Sequence, residues 1–184
     1  MIELGADPVG RIRQIFAAAV ADGLRGDSVS GASDAEIDAW ATGQGARAVP
    51  AAVREVLRLL GRDHGLWLAG SSLGVVAVQR QAKNHLVATL PSLGDPLVDP
   101  EGALVLVDHQ SYTFHVVDGA DLDLPDPPVW LVTEREGSEK RWGTVSFWFR
   151  ALTPDVARLR ERLEIMQELD SGRVPGWARF IEPR

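Results

Sequence analysis

The chain has 184 residues, of which 45% are hydrophobic and 24% charged, and it contains no cysteine. This composition is typical of a folded globular protein, and it excludes disulfides, thiolate metal sites and cysteine catalysis. We expect a cytoplasmic protein, because the N-terminus lacks a signal-peptide pattern and no apolar run approaches the roughly 20 residues of a membrane span.

The net charge of −7 is concentrated in one part of the chain. Residues 84–134 contain nine acidic residues and no Lys or Arg, which leaves a net charge of +2 on the remainder. Negative potential disfavours direct binding of nucleic acid and favours a basic protein partner. Because Asp is also common in turns, the alternative is that these acids are solvated turn residues.

The first predicted helix begins after Asp7, a good N-cap, with Pro8 at the first helical position. Its apolar residues recur at helical spacing, and a Gly/Ser/Asp-rich stretch follows at 26–31. Residues 1–32 are therefore predicted to form an N-terminal helix and a linker.

Two short helices are predicted next. Ser33 and Glu36 have the spacing of a capping box, in which each side chain binds a free backbone amide at the start of a helix. The second of these helices follows Val49-Pro50. Its predicted buried stripe consists of Val53, Val56, Leu57 and Leu60.

The segment before the main sheet is harder to interpret. Residues 66–69 are apolar and predict a brief strand. Ser71 or Ser72 is expected to cap a helix that contains Leu73 and ends before Pro91, since proline disrupts helical hydrogen bonding.

Residues 103–132 predict a three-stranded antiparallel meander. The run 103–107 is continuously apolar, as in a strand covered on both faces. A polar hairpin turn at 108–111 leads to a strand at 112–117, and a third strand at 129–132 follows two prolines. We expect an α+β fold with an antiparallel or mixed sheet and helices packed on one face.

The C-terminal third is predicted to be largely helical. Residues 134–141 are interpreted as a charged turn, and 142–145 as either a last strand or the lead into a helix at 146–149. A final helix, capped by Thr153 and ended by Gly172, precedes a tail whose Trp177 and Phe180 are expected to pack on the body. This divides the chain into segments 1–32, 33–152 and 153–184.

Reactive motifs are weak throughout. The chain has no phosphate-binding glycine loop, no Gly-x-Ser-x-Gly and no His-Glu-x-x-His. Residues 121–126 begin like a calcium loop, but Leu124 and Pro125 stand where a ligand and the turning Gly belong. We therefore predict no metal and no cofactor. A catalytic pair of a histidine with Ser111 or Ser146 is the alternative.

The six tryptophans are interpreted as core and rim packing residues. For Trp130 two positions stay open, either the centre of the core or the surface, where it would be an interface candidate. A stacking platform for nucleic acid would need interleaved Arg or Lys, which the sequence around Trp130 lacks.

The order of motifs over residues 33–152 resembles that of SMI1/KNR4 (SUKH) proteins. In that family a helix leads through a Val/Leu-Pro pair into a second helix that ends at Asn-Gly or Gly, and here His64-Gly65 replaces Asn-Gly. The motifs that carry the resemblance are Glu36, Trp40, Pro50, Val53, Leu57, Gly65, 67–71, Leu104-Val105, 109–114, 128–130, Ser146-Phe147 and Leu152.

The resemblance implies an α+β domain without catalytic activity. Bacterial members of the family are associated with immunity against toxins, many of them nucleases, and fungal relatives with regulation. We expect a protein-binding module, with a toxin-neutralising immunity protein as the first hypothesis. A regulatory or scaffold protein without a toxin is the second, and a hydrolase using His109 or His115 is the third.

The acidic window supplies the predicted contact residues. A nuclease site is usually basic, so complementary charge would speed encounter with a basic toxin domain and fix its orientation. The predicted protein-binding residues are Asp108, Tyr112, Asp118, Asp121, Asp123 and Asp126.

Overall fold

A computed structural model describes residues 7–169 and 174–182. Within these ranges the chain forms six α-helices and five β-strands. The helices are α1 (Pro8–Ala21), α2 (Asp34–Gly43), α3 (Ala51–Leu60), α4 (Arg80–Thr89), α5 (Val145–Ala151) and α6 (Val156–Glu168). The strands are β1 (Ser72–Leu73), β2 (Leu104–His109), β3 (Thr113–Val117), β4 (Val129–Thr133) and β5 (Gly137–Trp142).

The strands form one antiparallel sheet in the order β1-β2-β3-β4-β5, which confirms the predicted meander and the α+β class. Val105 on β2 pairs with Val116 on β3, which pairs with Trp130 on β4. Gln110 and Ser111 have positive φ angles of 52° and 60°, as in the type I′ turns that suit hairpins.

The sheet is covered on both sides of β2. Helices α1, α2, α3 and α5 bury their apolar residues in one cluster, where the ring of Trp67 stacks on that of Phe149 with centroids 5.5 Å apart. Helix α4 lies against the opposite face, where Leu86 packs with Val105 and Phe114, so the helices are not confined to one face of the sheet as expected. Residues 103–107 are buried, which confirms the prediction from their continuous apolar run.

Two local motifs are confirmed as predicted. Asp7 caps α1 through its carboxylate, which accepts from the amide of Val9. Ser33 and Glu36 form the reciprocal capping box at the start of α2. The stripe Val53, Val56, Leu57 and Leu60 of α3 is buried.

The prediction of a charged turn over 134–141 is wrong for most of its length, because β5 occupies Gly137–Trp142. This strand is at the edge of the sheet, and its central residues 139–141 are exposed, so it has no apolar alternation to reveal it. Trp142 ends the strand. Thr144 caps α5, because its hydroxyl accepts a hydrogen bond from the backbone amide of Phe147.

The prediction of a long helix from Ser71 or Ser72 is also wrong. Leu73 belongs to β1 and pairs with Val107, and the helix begins only at Arg80. Gly74 has φ +90° and lies against the backbone of Gly61, where an added Cβ would come within 2.4 Å of the carbonyl oxygen. Residues 66–69 form a turn rather than the predicted strand.

Both terminal segments join the main core. Helix α1 packs on α3 and α5, with Ile12 fully buried. Helix α6 starts at Val156 behind an Asp155 cap, two residues beyond the predicted start, and the predicted stop at Gly172 lies outside the described residues. Trp177 packs against the main cluster, as expected for the tail.

No helix in the described ranges is long and apolar enough to cross a bilayer.

Candidate functional site

Asp118 fixes the start of the loop between β3 and β4. Its carboxylate accepts hydrogen bonds from the backbone amides of Val98 at 2.7 Å, Asp99 at 2.8 Å and Ala120 at 3.2 Å. The residue is only 2% exposed. Asp118 was predicted to contact a partner, but this burial turns its carboxylate inward, where it ties the loop to the segment before β2.

Asp126 fixes the other end of the same loop. Its carboxylate accepts from the amide of Ser146 at 2.9 Å and from the Ser146 hydroxyl at 2.6 Å, and it lies 3.6 Å from the guanidinium of Arg11. The carbonyl of Pro125 accepts from the amide of Ala52 at the start of α3. The loop is thus attached to α1, α3 and α5.

The middle of the loop faces solvent. Leu124 is 46% exposed. The exposed Asp123 carboxylate forms a bidentate ion pair with the guanidinium of Arg47, with N–O distances of 2.7 and 3.0 Å. The Asp121 carboxylate makes no ion pair with any described residue, and its side chain is half-buried. We refer to Asp121, Asp123 and Leu124 as the acidic loop surface. Val98, whose amide binds Asp118, is also highly exposed.

Asp108 and Tyr112 lie at the opposite end of β3, in the β2–β3 hairpin. The Asp108 carboxylate accepts from the amide of Ser111 at 2.7 Å, and the partly exposed Tyr112 ring meets the His109 ring edge-on at 5.2 Å. The five residues of β3 separate this hairpin from the acidic loop surface by roughly 15 Å. The six predicted contact residues therefore do not form one continuous site.

His109 has a partner that sequence reasoning missed. Its Nδ1 lies 2.8 Å from the hydroxyl of Ser71, which precedes β1. Only the pairing of β1 with β2 brings these residues together, and a two-residue strand gives almost no periodicity to reveal it. Ser111 and Ser146 were predicted as catalytic partners of a histidine. Among the described residues, neither His109 nor His115 is hydrogen-bonded to either of these serines.

His115 is a core residue. Its Nδ1 accepts from the indole N–H of Trp148 at 2.9 Å, and its ring lies against Trp142 with centroids 4.9 Å apart. Burial lowers the pKa of His115 to about 4, with the nearby charge of His109 contributing in the same direction. The imidazole is therefore neutral at pH 7 and serves as a hydrogen-bond acceptor.

Of the two positions expected for Trp130, the centre of the core is not the one that it occupies. It is half-buried at the margin of the cluster under α4, and the Lys140 ammonium lies 5.3 Å from its ring centroid. Trp67 and Trp148 are the tryptophans with fully buried side chains. The ring is only half-buried because β4 has a single edge strand, β5, beyond it.

A groove of about 570 Å³ runs between α1 and α5 and offers a second exposed surface. Ile15 and Ala19 line it, and Phe147 at its side is 57% exposed. In the part of the chain that the structure describes, no group of three or more His, Asp or Glu side chains has an arrangement that would hold a metal ion.

Comparison of the chain with family models, with curated proteins and with solved structures finds no match. The motif resemblance to SMI1/KNR4 proteins stays a prediction.

Proposed function

We propose that this chain is a non-enzymatic protein-binding module that contacts its partner through the acidic loop surface. The supporting observation is a loop held at both ends while its middle is exposed. Asp118 and Asp126 fix the ends through hydrogen bonds, and Leu124 points outward between them. A loop already fixed in one conformation loses little entropy on binding, so its contacts contribute more to affinity.

The chemistry of this surface favours a basic partner. An exposed leucine beside two carboxylates offers an apolar contact with a charged rim, an arrangement found in many protein interfaces. The net charge of −7 would steer a basic protein towards the chain from a distance. Because Asp123 already pairs with Arg47, Asp121 is the more available carboxylate.

The finer hypothesis is a cytoplasmic immunity protein that neutralises a basic toxin domain, such as a nuclease. The resemblance of the motifs over residues 33–152 to SMI1/KNR4 proteins supports it, together with the acidic window. A regulatory or scaffold protein would use the same surface without a toxin. A toxic protein encoded by a neighbouring gene, whose toxicity this chain suppresses on co-expression, would distinguish the first hypothesis from the second.

The binding surface is tested with purified protein and the basic domain of a toxic protein that the co-expression assay identifies as a partner. Leu124→Ser should weaken binding by about tenfold or more if this residue is an anchor, measured by calorimetry. Asp121→Asn should reduce the salt dependence of association, because exposed charges act mainly on encounter. Phe147→Ser in the groove between α1 and α5 is the matched control. Loss of binding in Phe147→Ser but not in Leu124→Ser would overturn the proposed surface.

The contact between Ser71 and His109 makes a hydrolase the second candidate. A serine nucleophile needs a base within hydrogen-bond reach, and 2.8 Å satisfies that condition. The third member of a triad is missing among the described residues, since no carboxylate bonds to the His109 ring and Asp108 is bound to Ser111. We expect a fluorophosphonate probe to leave Ser71 unlabelled. Labelling that disappears in His109→Ala would favour the hydrolase.

A further inference from the structure

Lys83 on α4 is a buried amine without a carboxylate partner. The residue is only 4% exposed, and its Nζ donates to the backbone carbonyls of Glu101, at 3.0 Å, and Ala103. No carboxylate in the described ranges forms an ion pair with it. It is one of only two lysines in the chain, the other being Lys140 on β5.

Burial makes the neutral amine of Lys83 more populated than in an exposed lysine, although the ammonium still predominates at pH 7. Burial lowers its pKa to about 8, although the negative charges of Glu101 and Asp99 oppose part of that change. About one Lys83 side chain in ten is then neutral at pH 7, compared with roughly one in three thousand for a lysine of ordinary pKa. Only the neutral amine has the free electron pair that attacks a carbonyl carbon.

Lys83 is one of the residues lining a cavity of about 440 Å³ between the end of α2, helix α4 and the segment before β2. Arg80 lies one turn before Lys83 on α4 and also lines the cavity. The Arg80 guanidinium makes no ion pair with any described residue, so it is available to an anion. Thr42 and Asn84 add neutral polar groups to the lining, and Glu101 lines the cavity as well, so an anion has to be bound at the Arg80 side. The Gln44 side chain is also part of the lining, but it is already hydrogen-bonded to the backbone of Val105.

We propose that this cavity is a small-molecule site in which Lys83 captures an aldehyde that carries an anionic group, with Arg80 binding the anion. The amine attacks the carbonyl carbon to form a carbinolamine, which then loses its oxygen as water. Overall, an ammonium and an aldehyde give a protonated imine and one water, with no oxidant, no reductant and no net proton exchange. The imine nitrogen keeps one N–H, which one of the two backbone carbonyls can still accept.

The alternative is that Lys83 only ties α4 to the start of β2 through its two carbonyl contacts. That arrangement would make the amine inert in the folded protein, because its nitrogen would be inaccessible. The presence of a second lysine in an exposed strand allows both interpretations to be tested within one molecule, since Lys140 reports the reactivity of an ordinary surface amine.

The full chain is incubated with pyridoxal 5′-phosphate at pH 7 to 9 and reduced with cyanoborohydride, and adducts are located by peptide mass spectrometry. We expect Lys83 to be modified on the order of tenfold faster than Lys140 at pH 7, with saturation and a pH midpoint near 8. Modification of Lys83 only after unfolding in urea, or without saturation and no faster than Lys140, would overturn the proposal.

Three variants separate the parts of the site. Lys140→Arg leaves Lys83 as the only lysine and should keep the fast, saturable reaction. Lys83→Arg keeps a positive charge that can donate to the same carbonyls, so it should fold and lose the adduct. Arg80→Gln should weaken capture of pyridoxal 5′-phosphate several-fold but leave reaction with an uncharged aldehyde, propanal, unchanged. An equal effect on both aldehydes would show that Arg80 does not bind the anionic group.

Discussion

The indole N–H of Trp148 on α5 donates to the Nδ1 of His115 on β3, in the interior of the protein. This hydrogen bond requires a neutral imidazole, because a protonated ring has no acceptor nitrogen. Protonation of His115 would therefore break the bond and leave a charge in the core. The pair joins the helical layer to the sheet and makes the stability of the fold depend on pH.

The first prediction is a loss of stability in mild acid. The pKa of His115 is about 4 in the folded protein, below the 6.5 of an exposed histidine. The unfolded state therefore binds more protons between these values, so this contribution is complete above pH 6.5 and falls as the pH drops towards 4. A pKa shift of this size lowers the free energy of unfolding by up to about 3 kcal/mol when the pH falls through the whole range.

Urea unfolding at pH 4.5 and pH 7.5 measures this effect. In His115→Gln the side-chain carbonyl still accepts from Trp148, but the residue no longer titrates. The number of protons taken up on unfolding should therefore fall by about one, and the unfolding free energy should depend less on pH. His85→Gln, at a half-buried position on α4, is the matched control and should keep the slope of the native protein. An unchanged slope in His115→Gln would show that other groups cause the acid sensitivity.

The second prediction compares the two fully buried tryptophans. The indole N–H of Trp67 is buried without an acceptor among residues 7–169 and 174–182, whereas that of Trp148 bonds to His115. Trp67→Phe removes an unsatisfied donor, and Trp148→Phe leaves the His115 nitrogen without its partner. Because both changes remove similar volume, Trp148→Phe should be more destabilising by about 1–2 kcal/mol in denaturant melts. Equal losses would mean that packing alone decides both positions.

Truncation to alanine extends the second prediction, because it tests where the centre of the core lies. Trp67→Ala should destabilise the fold by about 3–5 kcal/mol, since the ring stacks between Phe16 and Phe149. Trp130→Ala should lose clearly less, about 1–2 kcal/mol, because its half-buried ring removes less apolar area from water. A larger loss for Trp130→Ala would place this ring in the central core instead.

Local patterns in the sequence predicted the structure where the determinants are close in the chain. The capping box of Ser33 and Glu36 and the stripe of α3 depend on residues a few positions apart. The start of α4 was missed because Leu73 joins a strand whose partner lies more than thirty residues away at Val107. An apolar run cannot show whether its partner is a helix or a distant strand.

The candidate site shows the same difference between features set by neighbouring residues and features set by distant ones. The charge window correctly indicated where acidic residues concentrate, but it gave no information about which carboxylates are free. Asp118 and Asp126 bind backbone amides within the protein, and Asp123 binds Arg47 from the loop after α2. Such pairings depend on the three-dimensional path of the chain, so only Asp121 of the loop keeps a carboxylate without an ion pair in the described residues.

The third prediction separates structural from exposed carboxylates. Asp118→Ala removes a buried carboxylate that accepts from the backbone amides of Val98, Asp99 and Ala120, so it should destabilise the protein by about 2–4 kcal/mol. Asp123→Ala removes only an exposed ion pair and should change stability by less than about 1 kcal/mol. Hydrogen exchange at the amides of Val98 and Ala120 should accelerate in Asp118→Ala alone. Unchanged exchange there would contradict the role of Asp118 in fixing the loop.

The fourth prediction concerns the hairpin between β2 and β3. Ser111 has φ 60°, a conformation that residues with a Cβ rarely adopt, and its amide still donates to Asp108. Ser111→Gly should therefore stabilise the protein by about 0.5–1 kcal/mol, because relief of strain exceeds the added flexibility of the unfolded chain. Ser138→Gly on β5 is the matched control, since Ser138 has no positive φ and glycine weakens a strand. The two variants should shift the urea midpoint in opposite directions, and a loss of stability in Ser111→Gly would show that the turn is not strained.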